Sequence, residues 1–193
     1  MITHYETHLT VDLKDKTLED FKKACELIQA KPVIINLKNV KQVMTSKTVQ
    51  STSKDIYQQA LQDTVILQEH GFEVVRSKIE TNKIELNTKY DYVEIHVPCH
   101  SRKLVEYPNI INELPLFDLK GNQIKGHISR NEFKPNVTFI TWRAKRIEDF
   151  EYFNLVYNRL IELYILADPN KDPKLEIIIH DTNEKLDSEW MNI

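Results

Sequence analysis

The chain has 193 residues, of which 41% are hydrophobic and 28% are charged, a composition typical of a globular protein with one large domain or two small ones. Its 26 basic and 29 acidic side chains give a formal net charge of −3, which excludes the positive field that holds nucleic acid non-specifically. No apolar run reaches the roughly 18 residues of a membrane span, and no charged-then-apolar pattern stands at the start, so we expect neither a membrane span nor a secretion signal.

Glycine and cysteine usage narrows the function further. Three glycines are too few and too scattered for a dinucleotide-binding G-x-G-x-x-G motif or a P-loop. Cys25 and Cys99 are isolated from each other, which is typical of a reducing compartment and argues against a zinc ribbon. We therefore expect a cytoplasmic protein without a membrane partner.

The first half of the sequence predicts the element order βαββαβ. A capping box of Thr17 and Asp20 opens the first helix, and Pro32 ends it. The second helix follows the polar stretch at residues 51–53 and ends at Gly71, which supplies a left-handed cap. Alternating or apolar runs predict the strands, at residues 5–11, 33–37, 43–50 and 72–80.

The second half shows a similar order with a longer irregular stretch. Residues 98–115 leave room for one short helix at most, and residues 117–129 predict a hairpin that turns at Gly121 and Asn122. A strong apolar stripe predicts a helix between Ile147 and Tyr164. The predicted strands of this half are residues 90–97, 137–143 and 175–181.

The two halves resemble each other in sequence. Glu6-Thr7-His8 and Glu94-Ile95-His96 place the same Glu-x-His pattern on the first strand of each half. We predict an α+β fold of two related, ferredoxin-like halves, with a largely antiparallel sheet and helices on one face. The linker at residues 81–89 separates an N-terminal half, 1–81, from a C-terminal half, 89–193, which together form two domains or one duplicated domain.

Strand alternation predicts a polar sheet face that is rich in groups able to do chemistry. Because alternate side chains of a strand point to opposite sides, Glu6, His8 and Thr10 share one face. The same parity groups Glu94 with His96, and His127 with Ser129. Such a face serves catalysis or ligand binding, or it is simply a solvated surface.

Two tetrapeptides on this face carry a family resemblance. His8-Leu9-Thr10-Val11 and His127-Ile128-Ser129-Arg130 both resemble the H-x-[ST]-x motif of the 2H phosphoesterase superfamily. The resemblance implies a duplicated, LigT-like fold in which the two motifs face each other across a groove. It also implies that His8 and His127 act as general base and general acid, while Thr10 and Ser129 bind phosphate oxygens.

The chemistry of a phosphoesterase is compatible with the remaining polar residues. Because the ordinary pKa of a histidine is near neutrality, two histidines are suited to exchange protons with water and a leaving oxygen. Lys78 and Arg143 are candidates to stabilise the charge that develops on the phosphate. The hypothesis is a metal-free hydrolase that acts on a cyclic phosphate, a small nucleotide or an RNA end.

Two alternatives stay open on the same residues. Residues i and i+2 of a strand lie about 7 Å apart on one face, so Glu6, His8, Glu94 and His96 are candidate ligands of one divalent metal ion if the halves pack symmetrically. Imidazole and carboxylate ligands suit zinc, iron or manganese. The other alternative is a non-catalytic module that binds a ligand or a protein partner through its sheet.

Overall fold

The computed structural model describes residues 2–37, 40–83, 89–107, 109–170 and 172–187. Its longer strands are β1 (Thr3–Asp12), β2 (Lys31–Asn36), β3 (Lys41–Ser51), β4 (Glu73–Thr81), β5 (Tyr92–His100), β8 (Gly126–Asn131), β9 (Val137–Ala144) and β10 (Lys174–Asp181). A small hairpin is formed by β6 (Leu116–Phe117) and β7 (Gln123–Ile124). The helices are α1 (Leu18–Leu27), α2 (Asp55–Glu69), α3 (Ser101–Glu106), α4 (Ile110–Glu113) and α5 (Phe153–Glu162), with a 3-10 turn at Ile147–Phe150.

The chain divides into two compact units. The first unit comprises Met1–Ile35, Lys41–Asp91 and Ile177–Leu186, and the second comprises Asn36–Val40, Tyr92–Glu176 and Asp187–Ile193. The predicted linker at 81–89 falls largely on residues 84–88, which lie outside the described residues. The division into 1–81 and 89–193 therefore stays a prediction.

In the first unit, β1 pairs antiparallel with β3 on one side and with β4 on the other. The register places Glu6 opposite Glu80 and His8 opposite Lys78, so these four side chains share one face of the strand pair. The other face carries apolar residues that pack with α1 and α2. The buried core of this unit includes Leu9, Val11, Phe21, Cys25, Ile34, Leu67 and Phe72.

Local sequence signals account for both helices of the first unit. The backbone N–H of Asp20 bonds to the Thr17 hydroxyl and the Asp20 carboxylate accepts from the Thr17 N–H, which confirms the predicted capping box. Thr52 makes a similar side-chain contact with Asp55 at the start of α2. Gly71 follows α2 with a φ of 84°, the left-handed conformation that a residue with a Cβ rarely adopts.

In the second unit, β9 is central and pairs antiparallel with β5 and β8. Its register places Arg143 opposite Glu94 and Thr141 opposite His96. The Trp142 ring packs edge-on against Phe153 of α5, with centroids 5.6 Å apart. A Cβ at Gly126 would lie 2.9 Å from the Trp142 Nε1 atom, so the absence of a side chain there lets β8 approach the indole.

Parts of the second half differ from the sequence prediction. The stretch predicted to hold one short helix at most contains both α3 and α4. The hairpin turn at Gly121 is present between β6 and β7, but β8 continues separately and pairs with β9. The long predicted helix is divided into the 3-10 turn and α5.

The predicted fold class is wrong in its architecture. The eight long strands follow the hydrogen-bonded order β1-β3-β2-β8-β9-β5-β10-β4, which closes as a barrel. The ferredoxin-like or LigT-like α+β arrangement, with an antiparallel sheet and helices on one face, instead leaves edge strands unpaired. Strand alternation is a local signal, whereas the partner of an edge strand is decided far along the chain.

Within the described residues, no helix combines the length and the apolar character needed to cross a membrane.

Candidate functional site

A cluster of one histidine and two glutamates, here called the first triad, lies on the polar face of the first unit. It consists of Glu6 and His8 of β1 with Glu80 of β4, and one potential ligand atom from each lies within 4.8 Å of the others. The His8 Nε2 atom is 3.6 Å from Glu6 Oε1 and 3.4 Å from Glu80 Oε2. Antiparallel pairing of β1 with β4 is what brings Glu80 to the Glu-x-His pattern.

Neighbouring groups fix the orientation of the first triad. The His8 Nδ1 atom is 3.0 Å from the Thr45 carbonyl oxygen, to which the ring donates, and this leaves Nε2 to face the carboxylates. The Ser46 hydroxyl donates to Glu6 Oε1 at 2.8 Å, and Lys78 Nζ lies 2.6 Å from Glu80 Oε1. Such outer contacts hold potential metal ligands in place.

The first triad is largely shielded from solvent but not closed. The side chains of His8 and Glu6 are 17% and 25% exposed, and that of Glu80 is 4% exposed. Burial acts to lower the pKa of His8, but the Glu80 and Glu6 carboxylates outweigh it and the pKa is raised. Glu80 Oε2 is buried and accepts no hydrogen bond from any described residue.

The second triad repeats this arrangement in the second unit. It consists of Glu94 and His96 of β5 with Glu176 of β10, again with ligand atoms within 4.8 Å of one another. The His96 Nε2 atom is 2.8 Å from Glu176 Oε2 and 3.5 Å from Glu94 Oε2. Its Nδ1 atom is 2.7 Å from the Thr141 hydroxyl.

The second triad is more buried and more heavily paired. Glu94 is 1% exposed, and its Oε1 atom accepts from Arg143 Nε at 2.9 Å and Nη2 at 2.7 Å. Burial acts to lower the pKa of His96, but Glu176 and then Glu94 raise it to about 10. The buried Nε2 of His96 forms ion pairs with Glu176 Oε2 and Glu94 Oε2.

Sequence reasoning found two of the three members of each triad. It grouped Glu6 with His8 and Glu94 with His96 as candidate ligands of one ion, whereas the structure places the two pairs in two different clusters. It missed Glu80 and Glu176, which come from distant strands. A signal for them existed, because Lys78-Ile79-Glu80 and Lys174-Leu175-Glu176 repeat a Lys-x-Glu pattern on the strand that follows the last helix of each half.

The residues predicted for phosphate chemistry in the first unit have other contacts. His8 belongs to the first triad, and Lys78 forms an ion pair with Glu80. Thr10 is buried, 4% exposed, beside a register shift between β1 and β4.

In the second unit, the predicted residues are also buried. His127 is 5% exposed and Ser129 is 7% exposed. Burial, followed by the Arg143 cation, lowers the pKa of His127 to about 4, so its imidazole is neutral near pH 7. Arg143 itself pairs with Glu94 and, at 2.6 Å, with Asp187. The assignment of His8 and His127 as a catalytic pair stays a prediction.

A cleft of about 410 Å³ lies elsewhere in the first unit, between α2 and β4. Its lining includes Tyr57, Leu61, Val74, Ser77 and His180, and no member of the first triad. On β4, Ser77 and Ile79 of this lining alternate with Lys78 and Glu80. Arg76 of the lining has the same strand parity as Lys78 and Glu80, so the cleft excludes the triad itself but not every residue of that parity.

Comparison with known proteins does not identify the chain. No family model matches it, and no curated protein matches it at a significant level. A crystal structure of a "putative monooxygenase" from Fusobacterium nucleatum aligns over 94% of each chain, with 12% sequence identity and a TM-score of 0.34. A likeness at this level supports no inference about activity.

Proposed function

We propose that this protein is a metal-dependent enzyme that binds divalent transition-metal ions at the first and second triads. The observation that carries the proposal is that each unit brings an imidazole nitrogen and two carboxylate oxygens within 4.8 Å of one another. The duplicated patterns Glu-x-His and Lys-x-Glu supply both clusters, so the arrangement arises twice in one chain.

The donor set defines the kind of metal. One imidazole nitrogen with two carboxylate oxygens suits zinc, manganese or iron, which accept mixed nitrogen and oxygen ligands. Three protein ligands leave at least one coordination position for water or substrate, as catalytic sites do. The partial exposure of His8 and Glu6 gives solvent access to the first triad.

Two features of the triads favour a cation between the three groups. Glu80 Oε2 is a buried carboxylate oxygen that faces the His8 ring at 3.4 Å without a close hydrogen bond, so an ion between the two groups would satisfy it more fully. In the second triad the imidazole Nε2 lies beside Glu176 and Glu94, and these carboxylates keep its proton bound by raising the pKa of His96 to about 10. A metal ion would replace that proton as the positive charge.

The chemistry that follows is activation of water. A divalent ion lowers the pKa of a bound water toward neutrality and polarises a substrate oxygen. The expectation of a cytoplasmic location, from cysteine usage, and that of a small phosphorylated substrate or an RNA end, from the family resemblance, stay predictions. The metal-free phosphoesterase and the non-catalytic binding module also remain distinct hypotheses.

The experiment is a metal titration of the full chain after treatment with a chelator. Co²⁺ is the probe, because its visible absorption reports ligand geometry, and calorimetry gives the stoichiometry. We expect two equivalents per chain in the wild type. His8→Gln and His96→Gln should each remove one equivalent, since each substitution deletes the only imidazole ligand of a triad.

Matched controls lie on the same strands. His4 of β1 and His100 of β5 are exposed and outside the triads, so His4→Gln and His100→Gln should retain both equivalents. Absence of specific Co²⁺ binding in the wild type would refute the proposal. Turnover of a 2′,3′-cyclic nucleotide that survives the chelator would instead support the phosphoesterase hypothesis, and neither metal binding nor turnover would favour the binding module.

A further inference from the structure

Each triad has a lysine two residues before the glutamate of its last strand. Lys78 Nζ is 2.6 Å from Glu80 Oε1, and Lys174 Nζ is 2.5 Å from Glu176 Oε1. The same contact therefore occurs in both units, on β4 and on β10. The lysine is additional to the three potential ligands of each triad.

The lysine contacts divide the two oxygens of each glutamate in the same way. Glu80 turns Oε1 to Lys78 and Oε2 to the His8 ring, at 3.4 Å. Glu176 turns Oε1 to Lys174 and Oε2 to the His96 ring, at 2.8 Å. A carboxylate whose Oε1 is held by an ammonium group presents Oε2 alone to an ion between the three side chains.

This division matters because metal ions differ in how they use carboxylates. Ca²⁺ takes six to eight oxygen ligands, frequently with a carboxylate that binds through both oxygens. Zinc and related transition metals need fewer ligands and bind imidazole well. A site restricted to single-oxygen carboxylates and one imidazole is therefore poor for Ca²⁺.

We propose that Lys78 and Lys174 are specificity-determining residues, which make the triads select transition-metal ions over Ca²⁺ by limiting Glu80 and Glu176 to one oxygen each. This inference rests on the proposed metal-binding function. Lys78 acts through Glu80 and is a positioning residue, since its own ammonium group repels a cation and cannot be a ligand.

The two lysines differ in burial, and this predicts unequal effects. The Lys78 side chain is 11% exposed, whereas that of Lys174 is 54% exposed. Water competes effectively for an exposed ion pair, so Lys174 constrains Glu176 less firmly than Lys78 constrains Glu80. The larger change in selectivity is expected at the first triad.

The experiment compares Co²⁺ and Ca²⁺ affinities, measured by calorimetry and by competition, for the first triad alone. A His96→Gln background removes the second triad, and Lys78→Met then removes the ammonium group while keeping an apolar stem. Loss of a positive charge raises both affinities, but only Ca²⁺ gains the second oxygen of Glu80. We expect the ratio of Co²⁺ affinity to Ca²⁺ affinity to fall about tenfold.

Control variants separate the effect of releasing the second Glu80 oxygen from the effects of a lost positive charge and of a failure to fold. Lys47 forms an ion pair with Asp63 in the same unit, so Lys47→Met changes the charge without releasing a triad carboxylate and should leave the ratio unchanged. Lys78→Arg should retain the wild-type ratio, and Lys78→Gln provides a polar replacement if the methionine variant does not fold. In a His8→Gln background, Lys174→Met should change the ratio at the second triad by a smaller factor.

The failure of this inference is distinguishable from failure of the proposed function. If Co²⁺ binds the wild type and Lys78→Met and Lys78→Gln leave the ratio unchanged, the lysine has no role in selectivity and the metal site stands. If Co²⁺ does not bind the wild type, the metal site itself is refuted and the triads are ion-pair networks.

Discussion

His127 is a histidine whose surroundings keep it uncharged at neutral pH. It is buried on β8, and its pKa is lowered to about 4 by burial and by the Arg143 cation. In the unfolded chain the same side chain has a pKa of about 6.5. Between these values the unfolded state binds more protons, so stability that is present above about pH 6.5 is lost as the pH falls toward 4.

This difference gives a prediction for acid unfolding. Replacing His127 with Gln removes the titrating group and should remove about 2–3 kcal/mol of the stability that the wild type loses between pH 7 and pH 4. Urea unfolding of both proteins across this range measures the effect. Equal losses in the two proteins would show that His127 takes up its proton in the folded state.

Arg143 is a second residue whose replacement should change the stability of the protein, here independently of pH near neutrality. Its guanidinium contacts Glu94 and Asp187, which are 1% and 3% exposed, and lies 4.1 Å from the centre of the Tyr92 ring. Arg143→Met leaves buried carboxylates without this cation, which should lower the free energy of unfolding by about 3–5 kcal/mol.

The control for Arg143 is an arginine in an exposed ion pair. Arg159 is 53% exposed and pairs with Glu162 one turn along α5, so Arg159→Met should change the midpoint of urea unfolding very little. If the two substitutions have similar effects, burial does not determine how much the Arg143 ion pairs contribute to the free energy of unfolding.

At the level of the helix, α1 depends on a cap that the sequence shows directly. Thr17→Ala removes the hydroxyl that accepts the Asp20 N–H at 3.1 Å, and it should cost about 1 kcal/mol. Thr17→Ser keeps the hydroxyl and should cost much less. Urea unfolding gives the free energies, and hydrogen exchange of the first-turn amides of α1 tests whether the loss is local.

The capping box was predictable because its parts lie three residues apart, and the same holds for the Gly71 cap and for the alternation of β1. The missing members of the triads were not predictable in this way. Glu80 reaches His8 only through the register of β4 against β1, and Glu176 reaches His96 from a strand that follows α5. Strand register is set by contacts far apart in sequence, which no local pattern contains.

For the molecule as a whole, the repeated Glu-x-His pattern corresponds to a similar cluster of side chains in each unit. The order of the strands was beyond the sequence, because closure as a barrel depends on which edges pair. The phosphoesterase motifs illustrate a related limit. The H-x-[ST]-x motif is the same in sequence at both positions. In the structure, however, the imidazole of His8 is partly exposed, whereas that of His127 is buried and uncharged near pH 7.

The metal hypothesis also predicts the thermal behaviour of the whole chain. An ion that binds only the folded protein stabilises it, by about 2.7 kcal/mol per site when the free metal is a hundred times its dissociation constant. Co²⁺ or Zn²⁺ should therefore raise the unfolding temperature of the wild type, whereas Ca²⁺ at the same concentration should not. His8→Gln and His96→Gln should each remove part of the increase, and the double variant should remove it all.

The doubly substituted control, His4→Gln with His100→Gln, should keep the full increase because both exposed histidines lie outside the triads. Calorimetric melting with and without metal distinguishes these cases, and an undiminished increase in the variant that lacks His8 and His96 would place the bound metal at other residues.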